Sequence, residues 1–278
     1  MAGRRILRNM HDVDRTLKRM AVPPDGRSPS AARAAPPQYS LRQVLGVWAL
    51  AALPMAVLAW LVTPALADRL NGPAAWPKAL LACLTVGLMW QGVVVLVLLR
   101  REIGPLHWGA VKDALWLRPP RSPGTGRIGG RLWWVLVPAI LVVGIEQLLP
   151  SLPVPAGRDL GVLLRSSEGH DFLSGNWPWF AAIVVMAVFN TILGEELLFR
   201  GLLLPRMHGV FGRADWLANG VLFAAYHLHM PWAIPKILLD SLALAYPARR
   251  YTSAWLAIIV HSLQSVLIVA ASLALVLH

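Results

Sequence analysis

Seven stretches of this chain are too apolar to face water: 45–66, 79–99, 132–149, 178–204, 216–230, 233–245 and 253–277. A helix of about 20 residues crosses the ~30 Å hydrocarbon core of a bilayer. Backbone in hydrocarbon must satisfy its own hydrogen bonds, which leaves helices and closed barrels, and continuous rather than alternating apolar runs select helices. The expectation is an all-α, polytopic transmembrane helix bundle of about seven spans, within a range of six to eight. The fifth and sixth runs are short, and Pro231 and Pro235 interrupt the region between them. Composition agrees, since only 14% of the 278 residues are charged, against about a quarter in soluble domains.

A net charge of +12 would suggest nucleic acid in a soluble protein, but the charges are placed otherwise. Nine Lys/Arg lie in 1–44, seven in 100–131, three in 200–215, and two more at Arg249 and Arg250, whereas the alternate loops 67–78 and 151–177 carry two each. That asymmetry is the positive-inside pattern. It predicts a cytoplasmic N-terminus, cytoplasmic loops at 100–131 and 200–215, and an outer C-terminus. The expected location is the cytoplasmic (inner) membrane of a bacterium. The lipid bilayer is the expected partner. Nucleic acid is not, because no stretch interleaves basic and aromatic residues on a soluble platform. The single cysteine, Cys83, rules out an intramolecular disulfide and reads as apolar packing.

Residues 1–44 read as a basic cytosolic tail, disordered by composition, and 45–150 as a three-span region. The segment 151–177, with Pro153, Pro155, Gly157, Gly169 and Gly175, reads as a polar outer loop. Residues 178–278 form a second bundle in which every span holds ionisable or strongly polar groups. No internal repeat supports a transporter built on repeat symmetry. Gln91, Glu146 and Gln147 read as interhelical hydrogen-bonding residues, and Lys236 and Asp240, four apart, as a pair.

The sharpest feature of the second bundle is Glu195-Glu196-Leu197-Leu198-Phe199-Arg200. An ionisable group at membrane depth costs about 2.5–3.5 kcal/mol on insertion scales, so it persists where it pairs, lines a wet cavity or does chemistry. Glu195 is eleven residues from Arg206, His227 twelve from Asp215, and His261 eleven from Arg250. At ~1.5 Å per residue all three lie ~16–18 Å from the expected cytosolic boundary. Glu196 and Arg200, at i and i+4, can neutralise each other, which leaves Glu195 to face a cavity. A carboxylate among apolar walls can serve as a general base toward water, with imidazoles holding that water or an oxyanion. Glu195, His227 and His261 also make a plausible three-ligand set for zinc, although His-Glu-x-x-His is absent. Each group taken singly has a structural reading, as an ion pair or a packed histidine.

Glu-Glu-x-x-x-Arg at 195–200, Phe-x-x-x-His at 223–227 and the span holding His261 together resemble the CPBP family. This family comprises the CAAX-processing and bacteriocin-processing intramembrane endopeptidases, also called type II CAAX prenyl endopeptidases or the Abi family. The resemblance covers about 178–270. It implies an all-helical core with a catalytic cavity open to the cytosol and a membrane-associated or prenylated-type polypeptide as substrate. It also implies that Glu195 activates water, that His227 helps hold it, and that His261 stabilises the oxyanion. Glu196 and Arg200 would support the site, and Phe223 would pack beside His227. Both metal-dependent and glutamate-dependent mechanisms are described for the family, so a divalent metal stays open. One position departs from the pattern: the Asn or Asp expected four residues after the third-motif histidine is Ser265, a shorter candidate oxyanion donor. The competing reading is a non-proteolytic immunity or partner-binding protein with a structural Glu/His/Arg cluster. A proton-coupled transporter is the weaker third.

Overall fold

A computed structural model describes residues 36–278 apart from 73, 150–151 and 156–157. The expected tail therefore falls, for residues 1–35, outside the described residues. The chain is ordered before the expected first span. Ser40 caps the first helix, with Gln43 closing a reciprocal capping box, which satisfies otherwise orphaned amides. Tyr39 N–H donates to Arg206 O at 2.9 Å, and the Gln38 side chain bonds Pro205 O and Gly209 N–H. The N-terminal approach is thus tied to the turn at 204–209.

The described residues are helical, with one isolated bridge between Arg121 and Ile128. Four helices among them are long and apolar enough to cross a membrane: α1 (Leu41–Ala67), α2 (Ala75–Ile103), α7 (Trp177–Arg206) and α10 (Trp255–Leu277). Between α2 and α7 lie α3 (Trp108–Ala114), α4 (Leu136–Leu148), α5 (Leu160–Leu164) and α6 (Ser167–Leu173). After α7 come α8 (Asp215–Tyr226) and α9 (Ile234–Arg250).

The other three expected spans are not among these four: the helices of the third and fifth are shorter than their apolar runs, and that of the sixth is longer. The third begins as a tight 3-10 stretch, Gly130–Val135, before α4. The fifth and sixth are α8 and α9, 12 and 17 residues long, or about 18 and 26 Å. They pack on each other as a helical hairpin. Gly220 lies so close to α9 that an added Cβ would stand 2.6 Å from Leu242. Ser241 Oγ donates to Gly220 O at 2.9 Å across the pair.

The segment 151–177 is more than a polar outer loop. Phe172 and Leu173 are buried in the main apolar core and Leu163 is buried as well, each worth about 1.5–3 kcal/mol by removal from water. Arg158 sits 4.8 Å from the rings of both Trp60 and Trp76 and donates to Ala59 O at 3.2 Å. Asp159 accepts from Trp232 Nε1 at 2.9 Å. These contacts lay the segment over the turn of the α8–α9 hairpin.

At the basic end, Arg206 is fully buried and pairs with Glu102, its Nε 3.0 Å from both carboxylate oxygens. It also donates to Ala114 O and Leu202 O, so one guanidinium ties α2, α3 and α7. The Tyr39 hydroxyl completes this knot by bonding Glu102.

Candidate functional site

Glu195 and Glu196 sit where α7 changes its winding. The helix is α to Val188, widens to π over Phe189–Gly194, takes α steps at the two glutamates, and is π again over Leu197–Leu203. Such π segments inside α-helices occur frequently at functional sites. Gly194 permits this one. A Cβ there would stand 2.4 Å from Phe189 O and 2.9 Å from Leu88 O, so α7 meets α2 backbone to backbone. Gly92 answers from α2, where a Cβ would be 3.1 Å from Leu193 O.

The expected depth agreement is matched by contact. Glu195 Oε1 is 4.0 Å from His227 Nε2, and its Oε2 is 3.9 Å from His261 Nε2. The carboxylate thus stands between two imidazoles carried by different elements. All three are largely buried, with side-chain exposures of 4%, 9% and 12%.

Each ring is held from behind. His227 Nδ1 is 2.9 Å from Phe223 O; a carbonyl only accepts, so Nδ1 carries a proton and Nε2 is the nitrogen that faces Glu195. His227 ends α8 and leaves the helical geometry there. His261 Nδ1 is 2.9 Å from Glu196 Oε1, the same oxygen that accepts from Arg200 Nη1 at 3.1 Å. The i, i+4 pair expected of Glu196 and Arg200 is therefore formed, and both side chains are fully buried. Arg200 also donates to Ser241 O at 3.2 Å and lies 3.9 Å over the Phe223 ring. Phe223 makes edge contacts with His227 and His261 as well.

A cavity of about 390 Å³ reaches this cluster. Glu195, Phe223, His227 and His261 line it, while Glu196, Arg200 and Ser265 do not. Ser265 is buried away from the lining, and Gln264, three residues on from His261, takes the place on the cavity side. Lys236 pairs with Glu146 at 3.6 Å, and Asp240 accepts from Gln264 at 3.1 Å. Gln91 makes the interhelical bond expected of it, donating to the Tyr226 hydroxyl at 2.6 Å.

The lining includes Met55, Leu80, Met186, Asn190, Arg158 and Met230. These lie toward the helix ends that meet 68–74, 149–176 and 227–233. The cavity thus extends from Glu195 away from the basic loops.

Sequence reasoning passed over His229. It lines the cavity, stacks on His227 with centroids 5.3 Å apart, and has a buried Nδ1 without a hydrogen-bond partner. Its two-residue offset from His227 across a helix end gave no periodic signal.

Among the described residues no three His, Cys, Asp or Glu side chains form a group that could hold a metal ion. The Glu195–imidazole separations of 3.9 and 4.0 Å exceed the ~3.4 Å edge of a tetrahedron built on zinc bonds of about 2.0–2.1 Å. The expected ligand set does not fit zinc in this arrangement.

Fold and site together describe a multi-pass membrane protein whose buried carboxylates and imidazoles meet at one cavity. Residues 177–267 match the family model described as type II CAAX prenyl endopeptidase Rce1-like. The match falls on the same segment that carries the three motifs and supports the CPBP family of CAAX-type proteases. No curated protein and no solved structure matches the chain.

Proposed function

We propose that this chain is an intramembrane endopeptidase that hydrolyses a peptide bond of a membrane-associated or prenylated-type polypeptide by glutamate-activated water attack. The observation that carries the reading is Glu195 flanked by two imidazole Nε2 atoms at 4.0 and 3.9 Å. A water 2.8 Å from each acceptor, donating along both O–H bonds, spans about 4.4 Å. The gap between Glu195 and His227 is close to that of one water, held with its lone pairs free.

Glu195 takes a proton as the water oxygen bonds to the scissile carbonyl carbon. Protonated His261, its Nδ1–H on Glu196, presents Nε2–H to the oxyanion. Glu195 then returns its proton to the leaving amine as the C–N bond breaks. Glu196 and Arg200 act as positioning residues, because they hold His261 without lining the cavity. Phe223 packs against both rings and holds His227 through its carbonyl. Ser265 takes no part in this scheme. The position favours the competing partner-binding reading to one extent only: no hydroxyl donor lines the cavity there.

The test is cleavage of a membrane-anchored reporter by full-length protein in proteoliposomes. Glu195→Ala and His227→Ala are expected to abolish cleavage while the protein inserts and unfolds like wild type. Normal turnover by a well-folded Glu195→Ala protein removes the mechanism.

A further inference from the structure

Beyond Glu195 the cavity changes character. Glu146, Asp159, Glu195 and Asp240 line it against Arg158 and Lys236, so its lining is more acidic than basic in a chain of net charge +12. Three of the four carboxylates have partners. Glu146 takes Lys236, Asp159 takes Trp232, and Glu195 faces the imidazoles. Asp240 differs: it is 9% exposed, its Oδ2 accepts from Gln264, and its Oδ1 has no hydrogen-bond partner. A buried carboxylate oxygen left unmatched is costly unless a ligand supplies the donor.

The walls around it suit one kind of donor. Ile237 and Leu244 lie three residues before and four after Asp240 on α9, on its face of the helix, and Ile268 lies one turn beyond Gln264 on α10. All three line the cavity. Apolar walls ending in a carboxylate match a side chain with an aliphatic stem and a cationic head. Gln264 is three residues from His261, or about 4.5 Å along α10, and successive residues of an extended peptide advance ~3.3–3.6 Å. The subsite is thus within one or two residues of a bond held at Glu195.

We infer that Asp240 is a specificity-determining residue whose carboxylate binds a lysine or arginine side chain of the substrate, one or two residues from the scissile bond. The inference rests on the endopeptidase reading for the bond but not for the binding.

Membrane-anchored reporter peptides carrying lysine or norleucine at each position flanking the cut test it, with full-length protein in proteoliposomes. Lysine at one position is expected to raise kcat/KM about tenfold or more over norleucine, as for a hydrogen bond to a charged group. Asp240→Asn, whose carbonyl can still accept from Gln264, is expected to level the two peptides. A wild-type protein indifferent to lysine overturns the inference, as does a preference that survives Asp240→Asn. Should Asp240→Asn fail to fold, wild-type protein is assayed with a dodecylammonium amphiphile against dodecanol. Selective competitive inhibition by the ammonium supports the subsite, and equal inhibition overturns it. Binding of the labelled peptides to Glu195→Gln protein separates the two readings. Lysine-selective binding without cleavage by wild type retains the subsite and sinks the hydrolase, whereas cleavage without selectivity does the reverse.

Discussion

Removing Arg200 while leaving Glu196 in place would leave a carboxylate with no solvent exposure only His261 as partner. Arg200→Met deletes the 3.1 Å bond to Glu196, the 3.2 Å bond to Ser241 O and the contact over Phe223. Breaking a buried pair from one side costs about 3–5 kcal/mol, a large share of a folding free energy of ~5–15 kcal/mol. Glu196→Leu is expected to cost a similar amount by stranding the guanidinium. The double variant removes both members of the pair together, and apolar replacements of buried pairs are often neutral or better. Its loss should be far below the sum of the singles, which contacting residues allow. Activity should not follow stability. In the double variant His261 loses the Nδ1 acceptor now 2.9 Å away, and cleavage should fall ~10²–10⁴-fold, the usual weight of a positioned acid–base group. The assays are reversible unfolding in mixed micelles and reporter cleavage in proteoliposomes. Single variants within about 1 kcal/mol of wild type would refute the buried-charge argument, and full activity in the double variant would refute the positioning of His261.

Gly194→Ala should destabilise by about 1–3 kcal/mol through overpacking, since its Cβ meets Phe189 O and Leu88 O; Gly46→Ala, with nothing within 4 Å, serves as the near-neutral control in thermal unfolding. Burial, with Glu102 beside it, holds the Tyr39 phenol above its usual value. The unfolded chain therefore loses this proton first, and stability should fall as pH climbs above about 10 toward the folded value. Tyr39→Phe should flatten that fall in unfolding measured at pH 9 and 11. With Cys83 replaced by serine, Met230→Cys should react with an impermeant thiol reagent from the membrane side opposite to Ser122→Cys; labelling of both from one side would contradict the direction of the cavity.

Much of the site was legible because membranes tolerate few ionisable residues. Glu195, His227 and His261 stood out by type and by equal distance from basic boundaries, and the Glu196–Arg200 spacing announced a pair. Segment length was less legible. Apolar runs at 216–230 and 233–245 look like spans, yet α8 stops at Tyr226 and the chain turns at His227, because hydropathy does not register where a helix ends against its neighbours. Lys236 and Asp240 have helical spacing for each other, but that spacing does not reveal that Glu146 and Gln264 reach them from packed helices.

The amino-acid order alone determined that this is a helical membrane protein with a polar cluster in its second half, because hydrocarbon excludes unpaired backbone and unpaired charge. It also carried the family's three motifs. Only tertiary packing decided that Gln264 rather than Ser265 faces the cavity, that His229 stands behind His227, and that the cavity runs away from the basic loops. Those outcomes depend on how π-wound α7 presses on α2 through Gly194 and Gly92, a contact between residues about a hundred positions apart that no local pattern encodes.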